Sequence, residues 1–308
     1  MKRHSKHHIV SGAKSLDLKT KAVLTERQLV LAKKPDGDPE RHYETDGRPS
    51  IRAKATRRIL LPQQSMKSSR ETVPCSSCSD RVLVIMAKAP RPGAVKTRLA
   101  PSLSPAAVTA FYCCLLDDTL ALARSLDDVE VAIMCPDSDI NELARLAGSQ
   151  ASVVAQKGEG LAAGLTSVFA HFAEGHQRRT IAFNSDSPHL PRSVLEDAFE
   201  TLAAHDVVVG PTHDGGYYLV GAKASYPTLF AVDGMGTSSA LERLLSRARV
   251  LELSVDFAVP FYDIDVVDDL TRLAKELRLA PARAPRTAAW LKERELMAGQ
   301  SRTGKGEL

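Results

Sequence analysis

The 308-residue chain is poor in aromatic side chains, at 5%, and has a single tryptophan and only five cysteines. No uninterrupted apolar run approaches the roughly 20 residues that span a bilayer, which argues against a membrane partner. The first residues, Met1-Lys-Arg-His-Ser-Lys-His-His, lack the apolar segment of a secretory signal. Cys75, Cys78, Cys113, Cys114 and Cys135 form no even framework. A disulfide-stapled fold is therefore not expected, and a reducing, cytoplasmic setting is. Cys75-x-x-Cys78 has neither a second pair nor nearby histidines to complete a zinc site. Nucleophile-elbow and metallopeptidase spacings do not occur either.

The rest of the composition is that of an ordinary globular protein, 44% hydrophobic and 25% charged, with a formal net charge of +4. That charge is unevenly placed. Residues 1–80 carry 17 Lys and Arg against 9 Asp and Glu, and residues 81–308 carry 24 against 28. The leader shows no sustained periodicity and is dotted with Lys, Ser and Pro, so residues 1–80 read as a disordered basic extension. A nucleic-acid-binding arm, a transit peptide and an extension without a role compete there. Acidic residues at 36–46 disfavour the transit peptide. Sparse basic clustering without interleaved aromatics disfavours nucleic acid. Met66 is a possible alternative start, and the extension without a role is the preferred reading. Residues 299–308 read as a disordered tail.

From residue 81 to about 298, strands and helices alternate, which predicts an α/β fold: a three-layer α/β/α sandwich around a mostly parallel, Rossmann-like sheet. Strands are expected at 82–87, 129–134, 151–155, 180–184 and 207–210, then near 250–253 and 260–264. Ser104-Pro105 predicts an N-capped helix to about Arg124, and Asp137 or Ser138 is expected to cap a helix to about Leu146. Further helices are expected at 160–172, 191–204, near 238–246, and at 267–279. A last amphipathic stretch, 287–297, carries Trp290 and is expected to pack on the outside.

The run Val82-Leu-Val-Ile-Met-Ala breaks into a Pro/Gly loop holding Lys88, Arg91, Pro92, Gly93, Lys96 and Arg98. A loop leaving the carboxyl end of a buried parallel strand lies on the rim where such sheets bind ligands. Its cations suit a nucleotide polyphosphate. It is not a P-loop, since Val95 precedes Lys96-Thr97 and side chains must replace the backbone nest. Asp186, in Ser185-Asp186-Ser187-Pro188, follows another strand. Asp265, in Phe261-Tyr-Asp263-Ile-Asp265, precedes a helix. Two carboxylates from separate strand ends, facing cations, can clamp a Mg²⁺-nucleotide. Asp268 and Asp269 read better as helix N-terminal charge. Gln156-Lys157-Gly158-Glu159-Gly160 offers an amide to a base edge, with glycines that admit it. Asp214-Gly215-Gly216-Tyr217 fits equally a small-acceptor site or a plain Asp-Gly hairpin turn. His189 and His213 lack convincing partners and are expected at the surface.

Four elements occur in one order: Lys-x-Pro-x-Pro-Gly-x-Val-Lys-Thr-Arg-Leu, Ser-Asp-Ser-Pro, Gly-Pro-x-x-Asp-Gly-Gly-Tyr and Asp-x-Asp-x-x-x-Asp-Leu. Over roughly 82–279 this order resembles an uncharacterised glycosyltransferase-A-like family, associated with radical-SAM or selenoprotein clusters and including arsenosugar-biosynthesis-type glycosyltransferases. It is distantly similar to phospholactate guanylyltransferase and the molybdenum-cofactor nucleotidyltransferases of the nucleotide-diphospho-sugar transferase superfamily. The resemblance implies that Lys88, Pro92, Gly93, Lys96 and Arg98 hold phosphates and that Gln156, Gly158 and Gly160 border the base. It implies Asp186 and Asp265 as ligands of Mg²⁺ or Mn²⁺ and Asp214, Gly215, Gly216 and Tyr217 as the acceptor side, with Lys96, Arg98 and Asp214 catalytic. Met235-Gly236-Thr237 stands where relatives carry Trp-Gly-Thr. The expected function is a metal-dependent glycosyltransferase using a nucleotide sugar and a small-molecule acceptor. One alternative is a nucleotidyltransferase moving NMP from an NTP to a phosphorylated small molecule. The other is a non-catalytic nucleotide-binding protein.

Overall fold

Branched residues at alternate positions give each strand two apolar faces, and these seat the sheet between helical layers. The computed structural model describes residues 79–173, 178–231 and 234–294. The chain divides into units Met1–Arg70 and Glu71–Leu308, and every described residue belongs to the second. The leader over residues 1–78, with its Cys75-x-x-Cys78 pair and Met66, and the tail at 299–308 lie outside the described residues.

The strands are β1 (Arg81–Met86), β2 (Val129–Cys135), β3 (Ser152–Ala155), β4 (Arg179–Asn184), β5 (Val207–Pro211), β6 (Tyr217–Ala222) and β7 (Val255–Phe257). They form one sheet in the order β3-β2-β1-β4-β6-β5-β7. Only β6 runs against its neighbours, opposite β4 and β5. The carboxyl ends of the other strands therefore share one rim with the start of β6. The helices are α1 (Pro105–Arg124), α2 (Ile140–Ala147), α3 (Gly160–Phe172), α4 (Arg192–Ala204), α5 (Ala240–Val250), α6 (Val267–Leu279) and α7 (Pro285–Glu293). Together they give the expected α/β sandwich around a mostly parallel sheet.

Alternation divides β1 between two cores. Leu83 and Ile85 pack with Leu116 and Leu120 of α1 and with α2 and α4. Val82 and Val84 pack with Leu165 and Phe169 of α3 and with α5. A third core joins the outer face of α1, through Phe111 and Leu115, to α6 and α7. Helix α1 is thus apolar on two sides, and it is the one described helix long and apolar enough to cross a membrane by length and composition. Its composition reflects burial in the protein. Asp118, 2% exposed, accepts the backbone N–H groups of Arg286 and Thr287 at the start of α7. Ser104 Oγ accepts from Ala107 N, as a capping residue should.

Several local expectations are corrected. Residues 250–253 are not a strand: α5 runs to Val250, and β7 begins at Val255. Val250 is 68% exposed at the last turn of the helix, where the small propensity penalty of a branched residue is tolerated. Residues 260–264 form no ladder, only a single bridge from Phe261 to Thr212. Helix α2 is not capped by Asp137 or Ser138, because a 3₁₀ turn over Asp137–Asp139 precedes it. The last helix does pack on the outside, against the outer face of α1, and its Trp290 is 6% exposed, tilted against Phe111 at 4.8 Å with Arg294 over its ring. His189 is wholly buried against Phe261 and Tyr262, and burial depresses its pKa to about 3, so it is a neutral core residue.

Gly221, opposite both Ile181 and Val208, has no room for a side chain. A Cβ there would meet Val208 Cγ1 at 2.8 Å and Ile181 Cγ1 and Leu202 Cδ1 at 2.9 Å. Gly221→Val is expected to destabilise the fold by about 1–3 kcal/mol through overpacking. Urea unfolding measures this, and an unchanged midpoint would contradict the packing described.

Candidate functional site

The loop after β1 is pinned at both ends. Near its start, Ala89 N donates to Asp139 Oδ2 at 2.9 Å. Arg91 pairs with Asp139 and Glu142 at 2.8 and 3.0 Å, so it faces α2 and not a ligand. Near its end, Val95 and Leu99 are buried in the third core. Lys96 lies between these two anchors in a left-handed backbone conformation, φ 47°. That conformation costs a side-chain-bearing residue about 1–2 kcal/mol. It turns the side chain inward, where only 5% of it is exposed.

The Lys96 ammonium lies 2.8 Å from Asp186 Oδ2 and 2.8 Å from Asp265 Oδ1. Arg98, 72% exposed, reaches Asp265 Oδ2 at 3.2 Å. Lys96 was expected to face phosphates; in the structure it joins the two carboxylates. The reason is electrostatic, since a buried ammonium needs opposite charge at hydrogen-bond distance. Burial alone would lower the Lys96 pKa, but Asp186 and Asp265 outweigh it and hold it above the ordinary lysine range. Burial likewise acts to raise the Asp265 pKa, and Lys96 and Arg98 bring it below the usual carboxylate value.

The carboxylates are brought together by backbone. Ile264 N donates to Asp186 O at 3.2 Å, and Ser187 Oγ donates to Tyr262 O at 3.0 Å, stitching the end of β4 to residues 262–265. Asp186 does not cap α4, whose N-terminus has no side-chain cap. Asp269 Oδ2 accepts from the N–H groups of Asp265 and Val266 and so fixes the start of α6. Ser185 Oγ meets Tyr112 Oη at 3.1 Å, and Lys88 N donates to that same phenol oxygen. Asp263 is the other carboxylate of the Phe261-Tyr-Asp263-Ile-Asp265 segment, and the sequence assigned it no role. Tyr262 and Ile264 are buried in the core, and the two-residue period of extended chain puts Asp263 beside Asp265. Burial, then the Asp265 charge, pushes its pKa up to about 6.

A cavity of about 900 Å³ opens over this cluster. Lys88, Lys96, Arg98, Asp186 and Asp265 line one end, and Asp137, Gln156, Gly158 and Gly160 line the other. Pro92 and Gly93 lie in the bend before Ala94 and are not part of the wall. Gln156 Nε2 donates to Gly158 O at 2.9 Å, so its amide hydrogens brace the loop instead of projecting to a base. Gly158 and Gly160, at φ 82° and 80°, allow that loop to fold. The Asp214 motif is also off the wall. Asp214 Oδ1 accepts from Thr212 Oγ1 and from Gly216 N, closing the β5–β6 hairpin. Gly215, φ 89°, comes so close to Ser238 that a Cβ would lie 2.0 Å from its carbonyl oxygen. Tyr217 Oη donates to Met235 Sδ at 3.7 Å. The hairpin-turn reading of this motif is the one the geometry matches.

A family model described as "Uncharacterized protein conserved in bacteria (DUF2064)" matches residues 119–237. A crystal structure of a proposed nucleotide-diphospho-sugar transferase from Desulfovibrio desulfuricans G20 is 26% identical. It covers 71% of this chain and 97% of its own, with a TM-score of 0.65. The chain shares the fold of that nucleotide-diphospho-sugar transferase-like structure. At lower scores the chain is similar to a 4-diphosphocytidyl-2C-methyl-D-erythritol synthase, 11% identical, covering 62% of this chain and 94% of that one, TM-score 0.43. It is also similar to Rv0371C of Mycobacterium tuberculosis H37Rv in complex with manganese, 21% identical, covering 64% and 98%, TM-score 0.41. No curated protein matches the sequence.

Among the described residues no group of three or more His, Cys, Asp or Glu is arranged to hold a metal. The donors at the rim nonetheless suit magnesium or manganese, which bind few protein carboxylates and complete their shell with water and phosphate. The Lys96 ammonium shows directly that one cation fits between an oxygen of Asp186 and an oxygen of Asp265.

Asp263 provides a pH test of this cluster. An acid whose folded pKa is raised binds its proton more tightly when folded. Its ionisation therefore removes stability as pH rises from the unfolded value through about 6. In metal-free buffer, Asp263→Asn is expected to be more stable than wild type by about 1–3 kcal/mol at pH 7.5 and equal to it near pH 4. Denaturant unfolding at both pH values checks this, and a difference independent of pH would contradict it.

Proposed function

We propose that the protein is a metal-assisted nucleotidyltransferase that moves a nucleoside monophosphate from a nucleoside triphosphate to a phosphorylated small molecule. The observation that carries this reading is the composition of the cavity's charged end. Lys88, Lys96 and Arg98 face Asp186 and Asp265 there, an arrangement suited to polyphosphate and its cation. Asp214, the carboxylate expected to meet a sugar acceptor, is instead tied into a turn away from the wall. The far end, walled by Pro136, Gln156 and Gly160, has room for a base and ribose.

In this reaction an oxygen of the acceptor's phosphate attacks the α-phosphorus. A new phosphoanhydride bond forms, the bond from the α-phosphorus to the β-phosphate oxygen breaks, and pyrophosphate leaves with the electron pair. Arg98 and Lys88, with Lys96 once it has left the carboxylates, hold the phosphate oxygens and meet the charge that develops on pyrophosphate. Asp186 and Asp265 would hold the divalent cation, which supplies Lewis-acid neutralisation of the phosphates when bound. Tyr112 and Ser185 keep the Asp186 loop in place from below. The second reading, glycosyl transfer from a nucleotide sugar, is supported by the likeness to the proposed nucleotide-diphospho-sugar transferase of Desulfovibrio desulfuricans. A reducing cytoplasm remains the proposed setting.

Product analysis separates the readings. The full chain is incubated with nucleoside triphosphates or nucleotide sugars, divalent metal and a pool of small phosphorylated acceptors. Pyrophosphate release is expected, and release of nucleoside diphosphate would favour glycosyl transfer. Asp186→Asn is expected to lower turnover about 10²-fold or more. Nucleotide binding that is equally tight without metal, together with no turnover, would leave only a binding protein.

A further inference from the structure

We infer that Lys96 is an exchangeable counter-ion, holding between Asp186 and Asp265 the position a divalent cation takes and passing to the nucleotide's phosphates when that cation arrives. The inference rests on the proposed function, since it assumes that the carboxylate pair receives metal with a nucleotide. It rests equally on three observations independent of that function.

The first is distance. One ammonium contacts both carboxylates at 2.8 Å, so another cation cannot occupy the same point while Lys96 remains. The second is exposure. The Lys96 side chain is 5% exposed while Arg98 is 72% exposed, so in this arrangement Arg98 is open to a phosphate and Lys96 is spent on the carboxylates. The third is the backbone. Val95 and Leu99 are buried on either side of Lys96, so the anchored loop stays in place and the four-carbon side chain is the part free to swing.

Charge then sets the order of events. With Lys96 and Arg98 already beside the pair, a divalent cation alone adds like charge to a neutralised site. A nucleotide arriving with its cation brings the phosphate charge that takes up the released ammonium. The protein should therefore bind metal poorly by itself and well together with a nucleotide.

Binding of Mn²⁺ alone to the full chain, followed by the electron paramagnetic resonance signal of free Mn²⁺, tests this. Lys96→Met is expected to bind Mn²⁺ about tenfold or more tightly than wild type, because a competing cation has been removed. Lys96→Arg, which keeps a cation, is expected to remain as weak as wild type. If Lys96→Met binds no more tightly while Asp186→Asn abolishes Mn²⁺ binding, the exchange is wrong and the metal site stands. If Mn²⁺ binds none of these proteins, with or without ATP, CTP, GTP or UTP, the exchange fails together with the proposed function. Should Lys96→Met unfold without metal, circular dichroism decides: refolding on addition of Mn²⁺ supports the exchange, and failure to refold overturns it.

Discussion

Two carboxylates held close together inside a protein repel each other unless a cation lies between them, and the rim of this sheet is arranged around that requirement. Asp186 comes from the end of β4 and Asp265 from the segment before α6, and the Lys96 ammonium touches both at 2.8 Å. In a partly buried setting such a contact is far stronger than on an open surface, and losing one partner leaves the other charge uncompensated. The surrounding hydrogen bonds serve the same end. Ser187 and Ile264 stitch the two carboxylate-bearing segments, and Asp269 fixes the backbone of Asp265 itself.

The sheet supplies the platform. Because β1 to β5 are mutually parallel in direction and β6 alone is reversed, the loops of several strands converge at one edge. Helix α1 then closes the cluster from beneath. Its inner face packs on the sheet, and its outer face, through Phe111 and Leu115, packs with α6 and α7. Tyr112 on that helix reaches both Ser185 and the backbone of Lys88. Core packing and site geometry are in this way parts of one assembly.

Much of the fold was legible because its signals are local. Runs rich in Val, Ile and Leu marked β1 and β2, a short apolar run before Asn184 marked β4, and Ser104-Pro105 marked the start of α1. Where local signals conflicted, the reading failed: Val250–Leu253 is rich in branched residues, but the preceding helix continues through Val250. The site was legible only as an inventory. Lys96, Arg98, Asp186 and Asp265 do converge on one cavity, yet nothing local indicates that Lys96 turns inward while Arg98 stays open. Asp214 carried both an acceptor and a turn reading, and its partners Thr212 and Gly216 match the turn. His189 looked like a surface residue because the rings that bury it, Phe261 and Tyr262, are far away in the chain. Asp263 was visible as a second carboxylate two residues from Asp265, but its raised pKa depends on burial that no local pattern encodes.

Strand and helix order, the position of the rim and the residue types available for phosphate and metal all follow from periodicity and turn chemistry over a few neighbouring residues. Which charges pair, which are buried and which remain open to a ligand are set by contacts across long stretches of chain, 169 residues for Lys96 and Asp265. Electrostatic and packing energies depend on separation in space and on access to water. Separation along the chain does not encode either until the sheet has formed.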